Sequence, residues 1–309
     1  MLEPALWESR FLEYLELRNF SRRTIEGYRY ELQRFLAFLS DRGIVSLGQM
    51  NRELIDDYRC HLFNLERQGK GLTWSTQASR LSGVKAFLRF LVREQFILVD
   101  LAAGIPLPKV PSTLPHVLLS EAEVDQLLSA PDTSDVLGIR DRAVMEVLYS
   151  TAIRNSELRD LVLGDVHLER RELFIRTGKC AKSRIVPLGD AAVEWLDIYL
   201  CRARPRLLQN PEERCVFLTC RGRPFERGSL AVVVRQAAKR AGLKKVVTPH
   251  VLRHCCATHM MARGAGLRHL QEMLGHALAS TTQRYTQIEI TDLREAHRRF
   301  HPRERGGNA

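Results

Sequence analysis

Apolar side chains recur at helical spacing through the first hundred residues, with polar positions between them, the signature of helices that bury one face. Trp7, Phe11 and Leu15 mark a first helix. Ile25, Tyr28, Leu32, Phe35, Leu36 and Leu39 mark a second, with Ser21 placed as its N-cap, and Ile55, Tyr58, Leu62 and Leu65 mark a third. A fourth, over about residues 76–95, sets Leu81, Val84, Leu88 and Leu91 on one stripe and leaves Arg80, Lys85, Arg89 and Arg93 toward or beside the polar side. The pattern then breaks. Ala102-Ala103-Gly104 is followed by Pro106, Pro108, Pro111 and Pro115, and so dense a run of proline favours extended chain.

Beyond the prolines the pattern is mixed. Ser120-Glu121-Ala122-Glu123 reads as a capping box opening a helix that ends at Ala130-Pro131, and helical spacing returns over about 138–152. The stretches 167–176 and 183–187 read as short strands around a turn at Gly178, and Cys215 to Leu218 as one more strand, with helices over about 190–203 and 228–241. From Thr248 to about Arg299 the chain reads as helical, with breaks at Gly264 to Gly266, Gly275 and Ser280. The expected fold is mainly α with a small β-sheet in the second domain: a helical domain over 1–102, a Pro-rich linker over 103–117, and a mixed α+β domain over 118–309.

A length of 309 residues exceeds one ordinary hydrophobic core, which agrees with two domains. The formal net charge of +11 calls for a polyanionic partner, since clustered Lys and Arg gain free energy by releasing counterions from nucleic acid. Residues 1–100 hold 15 Lys or Arg against 13 Asp or Glu and the remainder 32 against 23, so the surplus falls mainly in the second domain. Met1-Leu2-Glu3-Pro4 lacks the basic start and apolar stretch of a secretory signal, and no apolar run approaches the roughly 20 residues of a membrane-spanning helix. The seven cysteines, Cys60, Cys180, Cys201, Cys215, Cys220, Cys255 and Cys256, are odd in number and form no repeated Cys-x-x-Cys pair, so neither a disulfide framework nor a zinc module is signalled. A soluble intracellular protein with free thiols is the simplest reading.

Against that background a series of polar residues stands out: Arg154, Lys179, His250, Arg253, His276 and Tyr285. Each has an ordinary reading when taken singly. Arg154 and Glu157 have the spacing of a surface helix ion pair. His250 and His254, at i and i+4, have metal-site spacing, but a zincin-type helix needs Glu where Val251 stands. His276 after Leu274-Gly275 suits a helix end, and Tyr285 suits a packing aromatic. Together they offer what phosphodiester cleavage without metal requires: a nucleophile, a proton donor for the leaving oxygen, and cations for the non-bridging oxygens of a five-coordinate phosphorus. Arginine suits the last task because its planar fork bonds two phosphate oxygens and stays charged. Thr248-Pro249 opens a helix whose first turn carries His250 and Arg253 on one face.

The order Thr151-Ala-Ile-Arg154, Lys179 on a hairpin, His250-Val-Leu-Arg253, Leu274-Gly-His276, then Tyr285 nine residues later resembles the tyrosine recombinases, the phage integrase family. The resemblance runs over nearly the whole chain and is nearest the Xer subgroup. It implies a helical core-binding domain over 1–102 and a catalytic domain over 118–309, whose last helix, about 290–300, docks on a neighbouring subunit. It makes Arg154 and Arg253 phosphate clamps, with Glu157 in support, and Lys179 the acid for the 5′-oxygen, with Lys182 a rival. His250 then assists proton transfer, His276 bonds the phosphate, and Tyr285 forms a 3′-phosphotyrosyl link. No cofactor or metal is implied. The partner is a double-stranded DNA recombination site, bound by a homo-tetramer on two duplexes, with or without a second recombinase or an activator, in the bacterial cytoplasm at the nucleoid. Arg80, Lys85, Arg89, Lys182 and Arg184 are the expected further DNA contacts. Two departures from the family pattern are Ala152 and Cys180, where glycine is usual; Cys255-Cys256 reads as helix packing. A catalytically silent DNA-binding protein on the same fold and a type IB topoisomerase remain the alternatives.

Overall fold

The computed structural model describes residues 4–67, 70–110, 118–176, 183–275 and 290–304. The chain divides into two compact units, Met1–Leu114 and Pro115–Ala309. In the first, α1 (Pro4–Leu17), α2 (Arg22–Asp41), α3 (Arg52–Asn64) and α4 (Trp74–Arg93) are the four expected helices, with a two-residue ribbon, β1 (Glu66–Arg67) and β2 (Lys70–Gly71), between α3 and α4. Ser21, Asn51 and Thr73 cap α2, α3 and α4, each side-chain oxygen accepting a backbone N–H three residues on. The apolar stripes meet in one core, where the fully buried Phe35 packs edge-on against Tyr58 with ring centroids 5.0 Å apart. Leu65 falls at the C-cap of α3 rather than within it. Ala102 and Ile105 are buried in this same core, so the extended Pro-rich stretch begins as part of the first unit's packing.

Two of the residues expected to contact DNA have partners within this unit. Arg80 lies one turn before Val84 on the apolar stripe of α4; its side chain is buried and faces Glu31 at 3.6 Å. The Lys85 ammonium donates to the Ile105 carbonyl at 2.6 Å and so ties α4 to the chain that follows it. Arg89, by contrast, is exposed, 3.9 Å from Asp100.

The second unit is built around α6 (Val136–Thr151), which follows α5 (Glu121–Ser129). Ser120 and Glu123 form the capping box of α5. Nearly every residue of α6 from Gly138 onward is buried, as befits a central helix packed on all sides. Its charged residues are paired in place: Arg140 with Asp141, and Arg142 with the fully buried Glu146. After α6 come α7 (Asn155–Arg159) and an antiparallel sheet of β3 (Val166–His167), β4 (Glu172–Ile175) and β5 (Arg184–Pro187), in the order β3-β4-β5. Helix α8 (Asp190–Ile198) continues through a π-turn into α9 (Arg204–Leu207); then follow α10 (Ser229–Arg240), α11 (Pro249–Ala262), α12 (Leu267–Leu274) and α13 (Ile290–Phe300).

The expected strand at Cys215 to Leu218 does not join this sheet. Its backbone groups find other partners: Val216 N–H donates to the Leu161 carbonyl, Arg204 donates to the Cys215 and Val216 carbonyls, and the Tyr199 hydroxyl bridges Val216 O and Leu218 N. The helix expected to dock on a neighbour, α13, also has contacts within its own unit. In this chain α13 is seated on its own unit, where Leu293 and Ala296 are buried, His297 bonds the Ser150 carbonyl at 2.8 Å, and His301 bonds the Tyr149 carbonyl at 3.2 Å. Arg303 extends the anchorage to Glu146 and Asp125. An amphipathic helix buries its apolar face where a complementary surface lies within reach, and here that surface is on the same chain. Among the described residues no helix is long and apolar enough to cross a membrane.

Candidate active site

The central helix α6 delivers the chain to the site. At its C-terminus Ala152 adopts the left-handed conformation, φ 50° and ψ 26°, and is fully buried. That conformation explains why glycine is usual here: a Cβ in the left-handed region costs about 1–2 kcal/mol. The turn places Arg154 as the N-cap of α7, and Glu157 folds back so that its Oε2 accepts the Arg154 backbone N–H at 2.7 Å while its Oε1 accepts from the Arg154 guanidinium at 2.9 Å. The Arg154 side chain is 39% exposed, while Glu157 is 9% exposed, so the acid is buried and the arginine reaches toward solvent.

Thr248 caps α11, and Pro249 occupies its first position, leaving His250 exposed and Arg253 buried in the opening turns. The Arg253 guanidinium donates to the Ala152 carbonyl and, at 2.8 Å, to the Leu274 carbonyl. Arg154 donates to the next carbonyl, Gly275, at 3.1 Å, and Arg184 on β5 donates through Nε to Met273 at 3.1 Å. The last carbonyls of a helix lack intrahelical partners and carry the negative end of its dipole, so three consecutive arginine contacts satisfy the C-terminus of α12. Gly275 itself is left-handed, φ 62°, and ends the helix there.

Three guanidinium charges thus surround a single carboxylate, and the cluster retains positive charge for an anion. Burial, followed by the charge of Arg154, lowers the Arg253 pKa to about 10, which still leaves it charged at neutral pH. Burial alone would raise the Glu157 pKa, but hydrogen bonds from Arg184 and from the Arg154 backbone outweigh it and bring it to about 2. Because the folded value lies below the ordinary 4.5, the ionised carboxylate stabilises the fold above that pH and loses its advantage as pH falls toward 2. The advantage of the wild type over Glu157→Gln in denaturant midpoint is therefore expected to be constant above about pH 5 and to shrink steadily below it. A pH-independent difference from neutrality down to pH 3 would contradict this.

Of the residues singled out in the sequence, the structure brings together Arg154, Glu157, Arg253 and Arg184, with His250 on the same helix as Arg253. Lys179, Lys182, His276 and Tyr285 lie outside the described residues. Arg184, expected to contact DNA, has a side chain 11% exposed, its guanidinium engaged by Glu157 and the Met273 carbonyl. Nothing in the local pattern could have shown this, since both partners are remote in sequence. Among the described residues no cluster of His, Cys, Asp and Glu is placed to hold a metal ion. Cys255 and Cys256 are buried in the core, consistent with helix packing.

Residues 118–291 match the model of the phage integrase family, and residues 9–95 match the N-terminal SAM-like domain of phage integrases. The chain belongs to the phage integrase family, the tyrosine recombinases. It is 40% identical over 291 residues to tyrosine recombinase XerC 2 of Ralstonia nicotianae, across 94% of this chain and 84% of that one. It is 37% identical over 295 residues to tyrosine recombinase XerD of Staphylococcus aureus, across 95% and 97%. The fold is shared with a lambda integrase tetramer bound to a Holliday junction, at a TM-score of 0.69 and 19% identity over 94% of this chain and 81% of that one. It is shared also with the XerH site-specific recombinase bound to its difH substrate, at 0.68 and 20% over 87% and 79%. The enzyme is thus a site-specific tyrosine recombinase of Xer-like character.

Proposed function

We propose that this chain exchanges DNA strands between two recombination sites through a 3′-phosphotyrosyl intermediate on Tyr285. Arg154 and Arg253 hold the non-bridging oxygens of the scissile phosphate, and Lys179, or its neighbour Lys182, protonates the departing 5′-oxygen. His250 assists proton transfer, and His276 bonds the phosphate. The link keeps the energy of the phosphodiester, so the 5′-hydroxyl of a second duplex reverses the step and joins new partners through a Holliday junction. Residues 1–102 serve as the core-binding domain and 118–309 as the catalytic domain of a subunit that works as one of four on two duplexes, in the bacterial cytoplasm at the nucleoid.

The observation that carries this reading is the meeting of Arg154 and Arg253, remote in sequence, on consecutive carbonyls at the helix end that leads directly into His276. Guanidiniums held at one place by backbone contacts are preorganised for charge that gathers in a transition state. Among the described residues Arg253 uses two of its five N–H donors, both on carbonyls, so three others are open to an anion.

The test uses duplexes of two different lengths, selected for binding from a random pool and nicked beside the cleavage point so that the short fragment diffuses away. Wild-type protein is expected to give a detergent-resistant protein–DNA adduct and, with intact duplexes, strands joined across the two lengths. Binding without any adduct would indicate a silent DNA-binding protein. Adduct with relaxation of supercoils, but no joined strands, would indicate a topoisomerase.

A further inference from the structure

Arg184 has a position that its place in the sequence does not suggest. It opens β5, the strand that follows the segment holding Lys179 and Lys182, yet its guanidinium reaches both α7 and α12. Its Nη1 and Nη2 form a two-armed bond with Glu157, at 2.9 and 2.8 Å, and its Nε holds the Met273 carbonyl at 3.1 Å. An ionised carboxylate has about four acceptor sites. At Glu157 all four are used, two by Arg184 and two by the backbone and side chain of Arg154.

We propose that Arg184 is a positioning residue for strand cleavage, which locks Glu157 so that Arg154 presents its guanidinium to the scissile phosphate. This rests on the recombinase reading above. Arg154 is the more exposed of the two arginines and has a long, rotatable side chain, so its aim depends on what holds it. Among the described residues its side-chain anchors are Glu157 and the Gly275 carbonyl, and Arg184 braces both supports at once. Arg184 bonds the acid directly and fixes the last turn of α12 through Met273. The approach to that turn is close: a Cβ at Gly275 would lie 2.9 Å from the Arg184 guanidinium carbon. The glycine of the Leu-Gly-His segment is therefore required twice, by its left-handed backbone and by the arginine packed against it. Lysine cannot replace this brace, because a single ammonium lacks the planar fork that spans two carboxylate oxygens and a carbonyl.

The experiment compares wild type, Arg184→Lys, Glu157→Gln and the double variant in single-turnover adduct formation. It uses a duplex with an ordinary scissile phosphate and one with a methylphosphonate there, which removes the negative charge that the Arg154 clamp neutralises. On the ordinary duplex, Arg184→Lys is expected to slow adduct formation about 10- to 100-fold, as for a misplaced catalytic group, with DNA binding little changed. The double variant is expected to lose no more than the worse single variant, since both act through Arg154. On the methylphosphonate the gap between Arg184→Lys and wild type is expected to close to within about threefold, because the clamp is no longer needed. A merely structural defect would slow both substrates alike, and Glu157→Gln supplies the same readout should Arg184→Lys melt early. A gap that persists on the methylphosphonate, or Arg184→Lys cleaving at the wild-type rate, overturns the positioning role while leaving the recombinase reading intact. Failure of wild type to form any adduct overturns both.

Discussion

Tyr285→Phe is expected to abolish the covalent protein–DNA adduct, lowering its rate of formation by at least about 10⁴-fold, while DNA affinity stays within about twofold. Phenylalanine keeps the aromatic ring and removes only the hydroxyl that would attack phosphorus. The guanidiniums proposed to draw the backbone phosphate into the site are untouched by the change, so binding and cleavage are expected to separate cleanly. Gel-shift titration measures the first and denaturing electrophoresis of a nicked duplex the second. An adduct that persists in Tyr285→Phe would assign the nucleophile elsewhere.

Arg253→Ala is expected to slow adduct formation by about 10²- to 10³-fold, the usual loss when one preorganised donor to a developing oxyanion is removed. Its guanidinium is buried, and it joins the left-handed turn at Ala152 to the last turn of α12, so it both shapes the site and supplies charge. Burial and the nearby Arg154 lower its pKa to about 10, so the cation is held with a loss of solvation that an incoming phosphate would relieve. Arg253→Lys is expected to recover little, because a compact ammonium lacks the planar fork whose two arms reach the Ala152 and Leu274 carbonyls. A loss below tenfold for Arg253→Ala in single-turnover assays would contradict the clamp role.

Much of the scaffold was legible in the sequence because it is written in local periodicity. The four helices of the first unit follow from apolar spacing, and Ser21 and Ser120 cap where their side chains place them. His250 and Arg253 share the opening turns of α11 because Pro249 and Thr248 start the helix there. The burial of Arg80 also follows from spacing, since it stands one turn from Val84 on the apolar stripe. Other features depend on contacts between remote segments. The Lys85 bond to Ile105, the alternative partners of Cys215 to Leu218, and the seating of α13 on α6 through His297 and His301 have no local signature. The site divides along the same line. The order of its residues was readable as a family motif, whereas the convergence of Arg154, Arg184 and Arg253 on one helix end emerges only when four elements pack together.

The most direct measurement is the location of the covalent bond. The trapped complex is digested with protease and nuclease, and the peptide carrying the residual nucleotide is sequenced by mass spectrometry. The expected result is a 3′-linked nucleotide on the Tyr285 side chain. A nucleotide on any other residue, or one joined through its 5′-phosphate, would contradict the proposed chemistry.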